Sequence, residues 1–390
     1  MNFEELGINT IFINQLEKLN ISTPTPIQEL VIGKILNNDS IIATSQTGSG
    51  KTIAYLLPLI QQLSQETAET KALILVPTRE LAQQVGGVCK CLCEATSLKH
   101  TIIYGGVDYE PQIESLKANS EIIIATPGRL IDILERKMSE IQNIGYFLLD
   151  EVDQMLDLGF LEPIKTLSHL RNDKTVTLCF SATMTDSIKE VIYELNENIE
   201  VVNVENQRLA VEKINQINYF IDRSMMDALL LHLLRKEKPS QAVIFTRSRN
   251  MADRLVDILS QNELKSEAMH SDKSQAAREH ILGRFKSLET TILVATDVIA
   301  RGIDVDSITH VFNYGLPQSA EQYIHRIGRT GRAGRSGKAI TLCCPTDKLL
   351  LEATCKLMKH NIPSEMNHPY MTPDVIKALE PQKKNKKKRR

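Results

Sequence analysis

Tyr146-Phe147-Leu148-Leu149-Asp150-Glu151-Val152-Asp153 decides the fold. The four apolar residues read as a buried strand, and two adjacent carboxylates close it. In an open α/β sheet, ligands bind outside the carboxyl ends of the strands. Acidic side chains placed there can hold Mg²⁺ and position a water for attack on a phosphate. Well upstream stands Ser45-Gln46-Thr47-Gly48-Ser49-Gly50-Lys51-Thr52. Its small residues let backbone N–H groups approach phosphates, Lys51 can reach the β- and γ-phosphates, and Thr52 can ligate Mg²⁺. The strict phosphate-loop pattern has Gly where this chain has Ser45. An apolar strand pattern precedes the loop and a helical pattern over 52–63 follows. The two segments together predict a nucleotide triphosphatase.

Outward from them, short β-rich apolar runs alternate with helical patterns. They cover 40–44, 72–76, 121–126, 147–150 and 175–180, then 241–246, 290–296, 310–314 and 338–343. Such alternation predicts βαβ units and parallel sheets. Thr126-Pro127 reads as an N-cap followed by proline at the first helical position. Ser319 and Gln322 fit a capping box. A helical stretch ends near Asn196 and a new β pattern opens at Ile214. Domains are therefore expected at 1–205 and 214–363, joined by a linker at 206–213. The halves could be copies of one architecture, with a phosphate loop only in the first. From residue 364 the pattern weakens, and a basic, disordered tail is expected to 390.

At 390 residues and 42% hydrophobic content, about two globular domains are expected. No apolar run is long enough for a membrane span. Met1-Asn2-Phe3-Glu4-Glu5 lacks the charge and apolar core of a secretory signal, so a cytoplasmic location is expected. Net charge is −2, yet seven of the last eight residues are basic, which leaves the other 382 at −9. An acidic body with a basic end suggests a polyanion partner held locally. Cys89, Cys91 and Cys93 read as reduced thiols packed as small hydrophobes. Side chains at i, i+2 on a helix do not face each other, and no His lies at metal-finger spacing.

The second half carries His325-Arg326-Ile327-Gly328-Arg329-Thr330-Gly331-Arg332. Arginines spaced by glycine can approach a phosphate closely, and an arginine supplied to a γ-phosphate is worth ~10³–10⁵ in rate. The reaction is therefore expected to need both halves.

With these motifs in order, the chain resembles the DEAD-box family of ATP-dependent RNA helicases from about Phe3 to Pro363, in a bacterial-type, minimal-core form with Asp-Glu-Val-Asp as motif II. Thr23-Pro24-Thr25-Pro26-Ile27-Gln28 is similar to the Q motif, and Ser45 to Thr52 to motif I. Pro77-Thr78-Arg79-Glu80-Leu81, Gly105-Gly106 and Thr126-Pro127-Gly128-Arg129 resemble RNA-backbone contacts. Asp150 to Asp153 resembles motif II and Ser181-Ala182-Thr183 motif III. Val243-Ile244-Phe245-Thr246 is similar to motif IV. His270 to Arg278 resembles the segment ending in Q-x-x-R, Ala295 to Asp304 motif V, and His325 to Arg332 motif VI.

The resemblance implies two tandem RecA-like α/β domains of the P-loop NTPase type and RNA-stimulated hydrolysis of ATP. The coupled work would be local unwinding of short duplexes or remodelling of RNA–protein complexes. ATP and Mg²⁺ would be the cofactors. Gln28 would read the adenine edge, and the loop residues Ser45, Gln46, Thr47, Gly48, Ser49, Gly50, Lys51 and Thr52 would hold the phosphates. Asp150 and Thr52 would organise Mg²⁺, Glu151 would orient the attacking water, and Asp304 would touch the ribose. Arg329 and Arg332 would complete the γ-phosphate site. Asp153, Ser181, Thr183 and His325 would couple hydrolysis to domain closure.

RNA would be held without sequence reading through Pro77, Thr78, Arg79, Gly105, Gly106, Thr126, Pro127, Gly128, Arg129, Thr296 and Gly302. With 5% aromatic residues and no Trp, base stacking is not expected to dominate. A monomer is expected, with ribosomal or RNA-decay proteins as possible partners. Competing readings are a DNA helicase on the same plan and an ATP-gated RNA clamp.

This chain departs from the family pattern at three places. Val152 replaces Ala, and on a buried strand it would add only slight overpacking. Asn20-Ile21 replaces Gly and an adenine-stacking aromatic. Ser45 and Ser271 replace Ala and Gly, with little effect expected.

Overall fold

The apolar run before Asp150 forms β5 (Ile144–Leu149) in the computed structural model. The structure describes residues 1–45, 48–65, 70–138, 140–203, 214–297, 305, 307–331, 336–358 and 360–380. The chain divides into two units, Met1–Gln207 and Arg208–Arg390. Each is a parallel sheet covered by helices on both faces.

The first unit contributes β1 (Ile41–Thr44), β2 (Lys71–Leu75), β3 (His100–Ile103), β4 (Ile122–Ala125), β5, β6 (Val176–Ser181) and β7 (Glu200–Asn203). They lie in the order β3-β4-β2-β5-β6-β1-β7. Side chains alternate between two cores, as a pleated strand requires. Ile74 of β2 and Tyr146 and Leu148 of β5 enter one core. Leu73, Leu75, Phe147 and Leu149 enter the other. Burial on both faces is why these strands read as continuous apolar runs.

The second unit contributes β8 (Ile214–Phe220), β9 (Ala242–Thr246), β10 (Ser266–Met269), β11 (Ile292–Thr296), β12 (His310–Tyr314), β13 (Gly337–Cys343) and β14 (Ser364–Glu365). Their order is β10-β11-β9-β12-β13-β8-β14, the same permutation as in the first sheet. The two halves are thus copies of one architecture.

The strands absent from the sequence reading, β3, β7, β10 and β14, are the edges of the two sheets. An edge strand pairs on one side only, is short, and carries polar residues that break the apolar run.

Two expectations need correction. Val152 does not sit on a strand: β5 ends at Leu149, and Val152 opens the helix Val152–Asp157, buried in the second core. The tail does not begin at residue 364 either. Ser364–Glu365 pairs with Asn218 and Tyr219 of β8. The helix Pro373–Leu379 then follows, capped by the Thr372 hydroxyl, with Val375 buried beside Ile214 and Phe220. A two-residue strand has no period, and one buried residue in a short helix leaves no apolar stripe. The basic run 383–390 and the linker 206–213 lie outside the described residues.

Candidate active site

Strand order divides the carboxyl edge of the first sheet in two. β5, β6 and β1 are neighbours, and at their carboxyl ends stand Asp150-Glu151, Ser181-Ala182-Thr183 and the phosphate loop. β3, β4 and β2 are neighbours on the other side. After them come Gly105-Gly106, Thr126 to Arg129 and Pro77 to Arg79.

In the loop, Gly48 and Gly50 have φ of +80° and +91°, in the left-handed region where a side chain is strained. A β-carbon at Gly50 would also fall 2.6 Å from Gln28 Nε2. The Lys51 Nζ donates to Ser45 O at 2.8 Å, and the Ser45 and Ser49 hydroxyls lie 2.8 Å apart. Ser45 therefore braces the loop from within, an effect its small size alone did not suggest. Gln46 and Thr47 lie outside the described residues.

Gln28 is buried at the third position of the helix Pro26–Leu36. It closes a capping box with Thr25, accepting from Thr25 N at 2.9 Å. Its Nε2 donates to Gly50 O at 3.0 Å. One side chain thus joins the helix start to the phosphate loop. Asn20 has φ of +57°, which explains why Gly or Asn suits that position. Ile21 is half-buried against the first core.

Asp150 is buried, accepting from Glu151 N through Oδ1 and from the Tyr55 hydroxyl through Oδ2, both at 2.9 Å. Burial pushes its carboxyl up to about 6, against the pull of the Lys51 ammonium. Tyr55, on the helix Lys51–Gln65, packs its ring 5.1 Å from that of Phe180. Sequence reading missed Tyr55; its apolar position in the helix gave no sign that the hydroxyl would meet an acid from another strand. Glu151 has φ of +53°, a left-handed conformation costing of order 1 kcal/mol in a non-glycine residue. It is partly exposed, at the N-cap of the helix Val152–Asp157.

Asp153 Oδ2 accepts from Ala182 N at 3.1 Å, Thr183 N at 3.0 Å and the Thr183 hydroxyl at 3.2 Å. Ser181 Oγ lies 3.4 Å from Thr183 N. The segments after β5 and β6 are therefore held by one carboxylate.

At the other half of the edge, the Arg79 guanidinium packs against Gly106, where a β-carbon would collide with it. Gly106 has φ of +83°. Arg129 Nη2 donates to Val107 O at 2.9 Å, and its guanidinium stacks 3.9 Å over the Tyr109 ring. The Thr78 hydroxyl caps its own helix at Leu81 N, 3.2 Å away, while Thr126 caps without its hydroxyl. Pro127 takes the first helical position as expected, and Gly128 has open space around its α-carbon.

In the second unit, Arg326 is fully buried. It pairs with Asp297 through Nε–Oδ1 at 2.5 Å and Nη2–Oδ2 at 2.8 Å, and donates to Asn313 Oδ1 and Gly315 O, each at 3.3 Å. It also lies 5.2 Å from the Phe245 ring centroid. The first arginine of the cluster is thus a core residue tying the segments around β9, β11 and β12. Arg329 and His325 are buried, with Arg329 Nε donating to His325 O at 3.3 Å. Ser319 caps its helix at Gln322 N, but Gln322 reaches back to Gln318 N. Thr296 ends β11. Gly302, Asp304 and Arg332 lie outside the described residues.

Residues 25–191 match the DEAD/DEAH box helicase family, and residues 223–334 match the helicase conserved C-terminal domain. The RNA helicase CrhR of Synechocystis sp. is 39% identical over 361 residues, covering 92% of this chain and 73% of that protein. The DEAD-box ATP-dependent RNA helicase CshA of Geobacillus kaustophilus is 38% identical over 346 residues, 88% of this chain and 74% of its own.

The chain belongs to the DEAD-box family of ATP-dependent RNA helicases. It is similar to S. cerevisiae Dbp5 bound to RNA and ADP BeF3, with a TM-score of 0.85 and 28% identity across 97% of this chain and 99% of that one. Mss116p bound to ssRNA and AMP-PNP gives a TM-score of 0.80 at 28% identity, over 97% and 82% of the two chains. Like its family, this DEAD-box protein is an RNA-dependent ATPase with two RecA-like domains. No helix among the described residues is long and apolar enough to cross a membrane.

Proposed function

We propose that the β5-β6-β1 edge binds ATP with Mg²⁺ and that the β3-β4-β2 edge binds the RNA backbone. The donor set fits the metal: a hard cation takes oxygen ligands, and the Asp150 carboxylate, held by the Tyr55 hydroxyl, and the Thr52 hydroxyl are oxygen donors. Mg²⁺, when bound, supplies charge stabilisation for the transferring phosphoryl group. Lys51 and the loop amides hold the phosphates, and Gln28 reports adenine to the loop through Gly50. Asp304 touches the ribose. Glu151 orients the attacking water, and Val152 leaves this chemistry intact because it points into the core. Arg329 and Arg332 supply positive charge to the γ-phosphate.

Asp153 carries the coupling. It bonds three donors on the segment after β6, so a change beside Asp150 moves Ala182 and Thr183 with it. Ser181 and His325 belong to the same coupling. RNA is held by Pro77 to Arg79, Gly105-Gly106, Thr126 to Arg129, Thr296 and Gly302 through backbone amides, hydroxyls and arginines, which position a strand without reading bases. The work is local separation of short duplexes or displacement of proteins from RNA. The basic run 383–390 tethers RNA by charge alone, and ribosomal or RNA-decay proteins are the expected partner class.

Glu151→Gln tests the central assignment. It should abolish turnover yet keep ATP-dependent RNA binding, because the loop and metal ligands remain. Hydrolysis within about threefold of the parent would fall far below the ~10²–10⁴ expected of a general base and would remove Glu151 from this role.

A further inference from the structure

We propose that Cys89, Cys93 and His100 form a site for one soft divalent cation of the Zn²⁺ class, which ties the helix Arg79–Cys93 to β3. Positions i and i+4 share a helix face, so Cys89 and Cys93 point together while Cys91 turns away. Their sulfurs lie 3.8 Å apart. Two thiolates bound to Zn²⁺ at about 2.3 Å in a tetrahedron stand about 3.8 Å apart, so the pair already has the spacing of a ligand edge. His100 opens β3 and brings a ring nitrogen to the same place. The three ligand atoms all lie within 4.8 Å of one another. Closing on a metal requires movement of about an ångström.

The surroundings are suited to such an ion. Cys89 and Cys93 are buried and His100 is half-buried, so the site is enclosed with access from the His100 side. Binding would release one proton from each thiol. The two thiolates neutralise the cation, and His100 binds as neutral imidazole. Helix and strand already pack closely one turn away, where Gly86 sits against Ile102. Three protein ligands leave a fourth position for water. The helix starts beside Thr78 and Arg79, and β3 leads into Gly105-Gly106, so the metal would brace both supports of that edge. The site itself stands independently of the RNA roles proposed there.

The test uses the full chain, kept reduced with a phosphine and stripped with a chelator. One equivalent of Co²⁺ should produce a thiolate-to-cobalt charge-transfer band and tetrahedral ligand-field bands, both removed by Zn²⁺. Saturating Zn²⁺ should raise the thermal midpoint by about 5 °C. Cys93→Ser and His100→Ala should each weaken Co²⁺ binding at least about tenfold, while Cys91→Ser should leave it unchanged. His100→Ala alters an edge strand, so it keeps the test decisive if a cysteine variant fails to fold. Absence of the charge-transfer band in the reduced parent, or its survival at full strength in His100→Ala and Cys93→Ser, would overturn the proposal.

Discussion

The Tyr55 hydroxyl donates to Oδ2 of Asp150 at 2.9 Å, inside the core beneath the phosphate loop. Burial raises the Asp150 pKa to about 6, and this bond opposes the rise. The carboxylate proposed to hold Mg²⁺ is therefore depleted as pH falls through about 6. Tyr55→Phe removes the opposing bond, so the pKa moves further up and the acid limb of activity moves to higher pH. The Mg²⁺ concentration for half-maximal ATPase should rise more at pH 6 than at pH 8. Stability should fall by roughly 1–2 kcal/mol at neutral pH. An identical Mg²⁺ dependence at both pH values would show that Tyr55 serves only packing.

Gln28→Ala should do more than relax base choice. Its amide closes the capping box at Thr25 and holds Gly50 O. Loss of a cap costs about 1 kcal/mol, and the loop loses its link to the helix. The KM for ATP should rise, and the KM for GTP should rise less, narrowing the ratio between them. Steady-state kinetics with both nucleotides would check this; an unchanged ratio would deny Gln28 any contact with the base.

Asp153→Asn should uncouple hydrolysis from work. The carboxylate satisfies three donors on the β6 segment, and each buried donor left unpaired costs about 1–3 kcal/mol. Duplex displacement should fall at least about tenfold while ATPase at saturating RNA falls several-fold less. Parallel losses in the two assays would place Asp153 in the chemistry rather than in coupling.

Arg326→Ala should fail through stability. The side chain is buried with Asp297, and removing one partner of such a pair costs roughly 3–5 kcal/mol. Arg326→Lys should not rescue it, because an ammonium cannot span two carboxylate oxygens and two carbonyls in one plane. Thermal unfolding should show a lowered transition for both variants. Normal melting combined with lost ATPase would instead put Arg326 at the phosphate.

Local sequence was enough for whatever depends on chain neighbours. The loop from Ser45 to Thr52, the acids closing β5 and the proline-started helix at Pro127 are contiguous, so residue type and spacing alone exposed them. The buried central strands were legible for the same reason, since burial on both faces leaves an unbroken apolar run. Tertiary structure decided what distant segments share. Strand order placed β6 between β5 and β1, which brought Asp153 to Thr183 and Tyr55 to Asp150. It also tied Arg326, which the sequence shows only as one of three glycine-spaced arginines, to Asp297 in the core. The edge strands and the helix Pro373–Leu379 carry too few buried residues to show a period. Cys89 and Cys93 share a helix face by spacing, but only the turn of the chain into β3 brings His100 beside them. Such meetings depend on how strands are ordered across a sheet, and that order is set by the packing of the whole unit rather than by any one stretch of chain.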